Sequence, residues 1–277
     1  MVEGPLTRWL LRAGTALVLL FIYFPLVIIG LYAFNGSVVQ SWPIQSWTLK
    51  WFGEAFRDET LRDAFLLSIK AAVLATLVAL LLGTALSLAV ARYSFFGRQT
   101  ISFLVVLPIA LPGIVTGIAL NATIDTVLEP VGIGFGLFTI VVGHATFCIV
   151  VVHNNVVARL RRTGGSFEEA SSDLGGDTWQ TFRLVTLPAL RTAMLAGGLL
   201  AFGLSFDEII VTIFTAGADQ TLPIWIYQNL ARPNQLPIIN AVALIVIVIS
   251  LVPVWAAQKL AGSIEGDEQL TVGVAEP

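Results

Sequence analysis

The side chains able to carry chemistry gather in two places along this chain. Glu168 and Glu169 stand in a polar stretch, SFEEASSDLGGDTWQTFRLVTLP (166–188), and Asp207 and Glu208 stand in an apolar one, LSFDEIIVTIF (204–214). A carboxylate inside an apolar span is costly to hold in lipid and turns toward a polar interior. There it either lines a path for a cation or pairs with a base, such as Lys70 or a residue of a partner subunit. Neighbouring helical positions point about 100° apart, so Asp207 and Glu208 do not serve one narrow site equally. Asn121 and Asp125, at the end of another apolar run, are further candidates for a polar pathway. His144 and His153 are nine residues apart with Cys148 between them, and no pair has the i, i+4 spacing and carboxylate partner of a metal site. No metal is expected, and His144, Asn154 and Asn155 are read as hydrogen-bonding residues between helices. No nucleophile–base constellation appears, which argues against an enzyme.

The polar stretch reads as two short helices around a glycine elbow. Ser166 is placed to cap the first, with Glu169 reaching back from three residues on, and the two glutamates complement the positive end of the helix dipole. Gly175 and Gly176 stop it. Asp177 with Gln180 repeats a capping pattern and opens a second helix, expected to end at Pro188, which cannot continue the hydrogen-bond ladder. Leu174, Trp179, Phe182 and Val185 form an apolar row behind the acids.

The elements that must position these residues are membrane helices. Hydrophobic residues make up 56% of the chain and charged ones only 12%, outside the range of water-soluble domains. The net charge of −3 offers no basic face for nucleic acid. Cys148 has no internal partner for a disulfide. Six spans are expected, at residues 14–34, 64–91, 101–123, 136–158, 189–214 and 237–257. The first is read as retained, because its apolar run is too long for a signal peptide and no small-residue cleavage site follows. The Trp-rich segment 35–63 is expected outside, with an interfacial helix from Leu49 that anchors at the headgroups. Lys70 snorkels from the second span. Pro108, Pro112 and Gly113 sit within the third, followed by external loop 126–135. Loop 215–236 is also external, and tail 261–277 is expected to be disordered. Arg8, Arg12, Arg92, Arg98, Arg159, Arg161, Arg162, Arg183, Arg191 and Lys259 fall on one side of this topology. Only Lys50, Arg57, Arg62 and Arg232 fall on the other. The positive-inside rule therefore places both termini and the 166–188 stretch in the cytoplasm.

Glu169-Ala170-Ser171, three residues, Gly175, nine residues, then Val185-Thr186-Leu187-Pro188 resembles the EAA loop of binding-protein-dependent ABC importer permeases. Ser171 stands where that pattern has a second alanine, and Val185 where it has isoleucine. LPIALPGIVTGIAL (107–120), VVGHATFCIVVVHNNVVARLRR (141–162) and LAFGLSFDEIIVTIFTAG (200–217) resemble the spermidine/putrescine-type branch of that family. The resemblance implies an all-α membrane protein with the six-helix type I permease fold. Residues 1–63 would form the first helix and external loop, and 64–260 the permease core with its coupling loop at 159–190. Glu168, Glu169, Ala170, Ser171, Leu174, Gly175, Leu187 and Pro188 would couple it to an ATPase. The implied partners are an ABC ATPase dimer, a second and non-identical permease subunit, an extracytoplasmic solute-binding protein and membrane lipid, in a bacterial inner membrane. A polyamine is the implied cargo; an amino acid, iron or an anion is the alternative within the same superfamily. No cofactor is expected, because the chain has no GxxxxGK[ST] phosphate loop and ATP would be bound by the partner. A stand-alone ion-coupled carrier could also use Asp207 and Glu208, but would have no use for the 166–188 stretch.

Overall fold

The computed structural model describes residues 4–250, and among these all regular elements are helical. In chain order they are α1 (Pro5–Ala33), α2 (Lys50–Arg57), α3 (Glu59–Arg92), α4 (Arg98–Ala110), α5 (Gly113–Thr123), α6 (Leu137–Thr163), α7 (Ser166–Asp173), α8 (Thr178–Thr181), α9 (Leu187–Phe206), α10 (Ile210–Thr215) and α11 (Leu222–Asn229). A further helix, α12, occupies 236–250. Six helical segments among the described residues are long and apolar enough to cross a bilayer: Leu6–Ala33, Glu59–Arg92, Gly113–Val131, Leu137–Thr163, Thr178–Phe206 and Pro233–Ser250. The expected end of the last span at 251–257, Gln258 with Lys259, and tail 261–277 lie outside the described residues.

The described residues divide into two compact units, 4–62 with 226–250, and 63–225. In the first, the segment after α1 is closed by backbone bonds from Gly36 N–H to Ser46 C=O and from Thr48 N–H to Phe34 C=O, both 2.8 Å. Trp51 of α2 is buried and donates from Nε1 to the carbonyl of Asn35 at 2.6 Å. It therefore braces this loop from within, while Trp42 and Trp47 are exposed and free to serve as interfacial anchors.

In the second unit α6 is the central helix. Phe147, Cys148, Val152, Val156 and Leu160 of α6 bury themselves with Ala79, Leu190, Ala201 and Val211 in one apolar cluster. Lipid tails are as apolar as leucine, so such helices associate through close fit, and small residues permit it. A Cβ at Gly83 of α3 would lie 3.0 Å from the Ile149 carbonyl and from Val152 on α6. A Cβ at Gly197 of α9 would lie 3.2 Å from the Val152 backbone. Cys148 is fully buried and directs its thiol to the Ala201 carbonyl at 3.4 Å, an inert core position.

Several boundaries differ from the sequence reading. The third span is two helices, because Leu111 and Pro112 adopt extended backbone between α4 and α5. Pro112 has no N–H to donate to the carbonyl of residue 108, and proline biases the preceding residue away from helix. The expected loop 126–135 begins helically instead: a π-turn at Ile124–Leu128 and a 3₁₀ turn at Glu129–Val131 prolong α5. α6 runs to Thr163, through the arginine cluster that was placed beyond its end. Pro188 does not end the helix that begins at Thr178. A π-turn at Phe182–Thr186 just before it widens the ladder, and the proline sits in the first turn of α9. The fifth span, read as continuous to Phe214, stops at Phe206 and resumes at Ile210.

Candidate functional site

The helix α7 is a short rod whose residues are mostly exposed. Its N-cap is Gly165, not Ser166, and Ser166 is its first helical residue, so the expected capping box with Glu169 does not form. The N–H groups of Glu168 and Glu169 instead both reach the Gly165 carbonyl at 3.0 Å. The C-terminal end follows expectation. Gly175 takes φ +85°, its N–H bonds to the Ser172 carbonyl, and the Gly176 N–H bonds to the Ser171 carbonyl, both 2.9 Å. That pair of bonds is a Schellman ending, and it needs a left-handed residue that only glycine supplies cheaply. A Cβ at Gly176 would meet the Ser171 carbonyl at 2.9 Å. α8 opens with the expected box: the Gln180 N–H donates to Asp177 Oδ1 at 2.8 Å, and Gln180 Oε1 accepts from the Asp177 N–H at 3.0 Å.

The two glutamates do different things. Glu168 turns inward: its Oε2 lies 2.8 Å from Arg92 Nε, and its Oε1 accepts from Arg92 Nη2 at 3.2 Å and from Thr186 Oγ1 at 3.0 Å. Glu169 is exposed on the rod. The apolar row splits likewise. Phe167, Ala170, Leu174, Leu184 and Val185 line a groove of about 370 Å³ on one side, with Leu174 90% and Phe167 65% exposed. Trp179 and Phe182, whose rings lie 5.8 Å apart, face a larger cleft of about 1020 Å³ on the other side, bounded by Arg92 and Tyr93. Ser171 is tied to Thr181 through their hydroxyls at 2.9 Å. Leu187 and Pro188 form the first turn of α9 and carry the loop into the membrane span.

The second candidate region is the break in the fifth span. Asp207 and Glu208 lie in a non-helical link, so the helical angle assumed between them does not apply. Glu208 Oε1 accepts the Val211 N–H at 3.0 Å and thereby caps α10. Asp207 is exposed, and neither it nor Lys70 has an ion-pair partner among the described residues. The break in the third span lies at the same level. A Cβ on Gly113, which opens α5, would be 3.5 Å from Ile210, which opens α10. The two short helices then run side by side in the same direction: Gly117 faces the Phe214 ring, and Asn121 Nδ2 donates to the Phe214 carbonyl at 2.8 Å. Asn121 is thus a clamp between helices, while Asp125 is exposed in the π-turn beyond it.

His144 of α6 spans the gap. Its Nδ1 lies 2.7 Å from Ser205 Oγ on α9, and its Nε2 lies 2.8 Å from Thr212 Oγ1 on α10. The Thr212 hydroxyl already donates to the Glu208 carbonyl at 2.6 Å. The hydrogen-bond count therefore puts the proton on Nε2 and leaves Nδ1 to accept from Ser205. His153 pairs with Ser87 of α3 through Nδ1 at 2.9 Å. Asn155 bonds only within its own helix, to the Val151 carbonyl at 2.9 Å, and does not bridge helices as expected. Groups of three or more potential metal ligands do not occur among the described residues.

Sequence reasoning missed Arg92 and Thr186. Arg92 had been read only as a topology-setting charge, and its carboxylate partner is 76 positions away. Nothing in local spacing links two such positions.

Helices of this length and apolarity, a projecting acidic rod and two aligned helix breaks define a membrane transport subunit. Residues 83–265 match the family described as binding-protein-dependent transport system inner membrane component, and the chain belongs to that family. It is a multi-pass inner-membrane permease subunit of an ABC importer, with the all-α permease fold. The chain is 33% identical to the putrescine transport system permease protein PotI of Escherichia coli K12, over 232 residues covering 82% of each. It is 31% identical to the spermidine/putrescine transport system permease protein PotC of Haemophilus influenzae, covering 92% of this chain and 98% of that one. Among solved structures, a chain of a bacterial alginate ABC transporter in complex with alginate pentasaccharide-bound periplasmic protein superposes with a TM-score of 0.70. It shares 17% identity and covers 94% of each chain, a likeness of fold.

Proposed function

We propose that this chain forms one half of a membrane pore that imports a polyamine, and that α7 couples the pore to a cytoplasmic ATPase. The putrescine and spermidine permeases to which it is similar support the cargo class. The observation that carries the reading physically is Asp207, an exposed carboxylate held at the aligned breaks of two membrane helices. In the sequence that flanks the two breaks, residues 99–158 and 192–225 contain Asp125, Glu129, Glu208 and Asp219 but no lysine or arginine. Such a stretch attracts an ammonium group and repels an anion.

On this reading the exposed face of α7, with Glu169, Phe167 and Leu174, seats in the ATPase. Closure of the ATPase pair on ATP draws two such loops together, one from this chain and one from a second permease subunit. The spans then rock until the path opens to a solute-binding protein outside. Hydrolysis resets them. The arginine distribution supports a cytoplasmic position for α7 and for both termini, where an ATPase would meet them.

The test is ATP hydrolysis by the reconstituted complex with its binding protein, over putrescine, spermidine, neutral amines, amino acids and anions. Stimulation by polyamines alone, lost in Asp207→Lys and largely kept in Asp207→Glu, is the expected result. Stimulation by an anion or amino acid instead discards the polyamine cargo.

A further inference from the structure

The glutamate next to the exposed one has a different task. Arg92 closes the inner end of α3, and its guanidinium holds Glu168 of α7 through a hydrogen bond from Nη2 to Oε1 at 3.2 Å and an ion-pair contact of Nε with Oε2 at 2.8 Å. The same Nη2 donates to the carbonyl of Gly164, the residue that terminates α6. From the other side Thr186, at the entry to α9, donates its hydroxyl to Glu168 Oε1 at 3.0 Å. One ion pair thus gathers the inner ends of three membrane spans onto the first turn of the rod. Both side chains are about three-quarters shielded, at 23% and 26% exposure, so water screens the pair less than a surface one. A guanidinium that meets both carboxylate oxygens and also donates to the Gly164 carbonyl fixes the turn more firmly than a single-point lysine contact would. The far end of α7 carries an uncharged tie instead, the Ser171–Thr181 hydroxyl pair at 2.9 Å across the Gly175 elbow.

We infer that Arg92 and Glu168 are positioning residues that transmit the movement of α7 to the spans α3, α6 and α9, while Glu169 and its apolar neighbours make the contact with the ATPase. This rests on the importer reading above. A rod that is gripped at one end moves its spans when it moves. A rod whose grip is cut still docks, but slides.

The test uses the complete complex in proteoliposomes, and reads both cargo uptake and ATP hydrolysis. Glu168→Gln keeps the shape and the Thr186 contact and removes the charge; Arg92→Gln removes it from the other side. Each is expected to assemble with the ATPase and to hydrolyse ATP at a near-normal basal rate. Each is also expected to import roughly 5- to 10-fold less cargo per ATP, within the range of a coupling free energy carried by one linkage. The double variant should be no worse than the poorer single, because the two act as one unit, and Arg92→Lys should fall between. Wild-type uptake per ATP in either single variant overturns the inference. So does a double variant whose loss is the product of the two, and so does loss of assembly in Glu168→Gln, which would make the pair a docking element. A wild-type complex that hydrolyses ATP without importing any cargo would instead sink the importer reading, whatever the variants do.

Discussion

At the residue scale, two neighbouring glutamates of identical chemistry are separated by what surrounds them. Both sit in the first turn of α7 and both favour its dipole. Only Glu168 meets a guanidinium, because α3 happens to end at Arg92 beside it. Gly175 is decided by backbone alone. Nothing lies within 4 Å of where its Cβ would be, yet its φ is +85°. Gly175→Val should therefore cost about 1–2 kcal/mol or more through left-handed strain. It should unwind the turn that aims α7 and reduce either co-purification of the ATPase or cargo-stimulated hydrolysis. Normal uptake by an intact complex would remove Gly175 from the coupling role.

At the scale of elements, the interrupted spans are the feature with most consequence. A break in a membrane helix leaves carbonyls and N–H groups that must be satisfied by protein, since lipid offers nothing. Here Glu208 caps the new start, and His144 bonds to hydroxyls on both sides of the gap. His144→Ala leaves Ser205 without that partner in a buried site. It is expected to destabilise the unit by about 2–4 kcal/mol, two buried hydrogen bonds and their orphaned partners. A lowered midpoint of thermal unfolding in detergent is the measurement, and an unchanged midpoint would show that the gap is held elsewhere. His144→Gln, which can still donate to Thr212, should recover part of the loss.

For the molecule as a whole, charge asymmetry predicts an orientation that is directly measurable. Cys148, the chain's one cysteine, is buried, so single cysteines can be introduced against a silent background. Asp173→Cys on α7 should react with a membrane-impermeant maleimide only from the cytoplasmic side. Gln220→Cys, exposed after α10, should react only from the outside. Reactivity of both from one side would overturn the six-span arrangement, and with it the placing of α7 beside an ATPase.

The sequence by itself determined the class of protein and much of the loop. Apolar runs with arginines at their ends require membrane helices, and local chemistry settles Gly175 and the Asp177–Gln180 box, because those bonds join residues a few positions apart. Cap choice at Ser166 and the fate of Pro188 were decided by tertiary structure. A cap competes with whatever else can fill the same position, and a π-turn is not written in any one residue. The partner of Glu168, the alignment of the Leu111–Pro112 break with the Asp207–Ile209 break, and the reach of His144 across the second were likewise invisible along the chain. Each joins residues that are dozens of positions apart, brought together by close packing at small residues: Gly83 and Gly197 against α6, and Gly113 and Gly117 against α10.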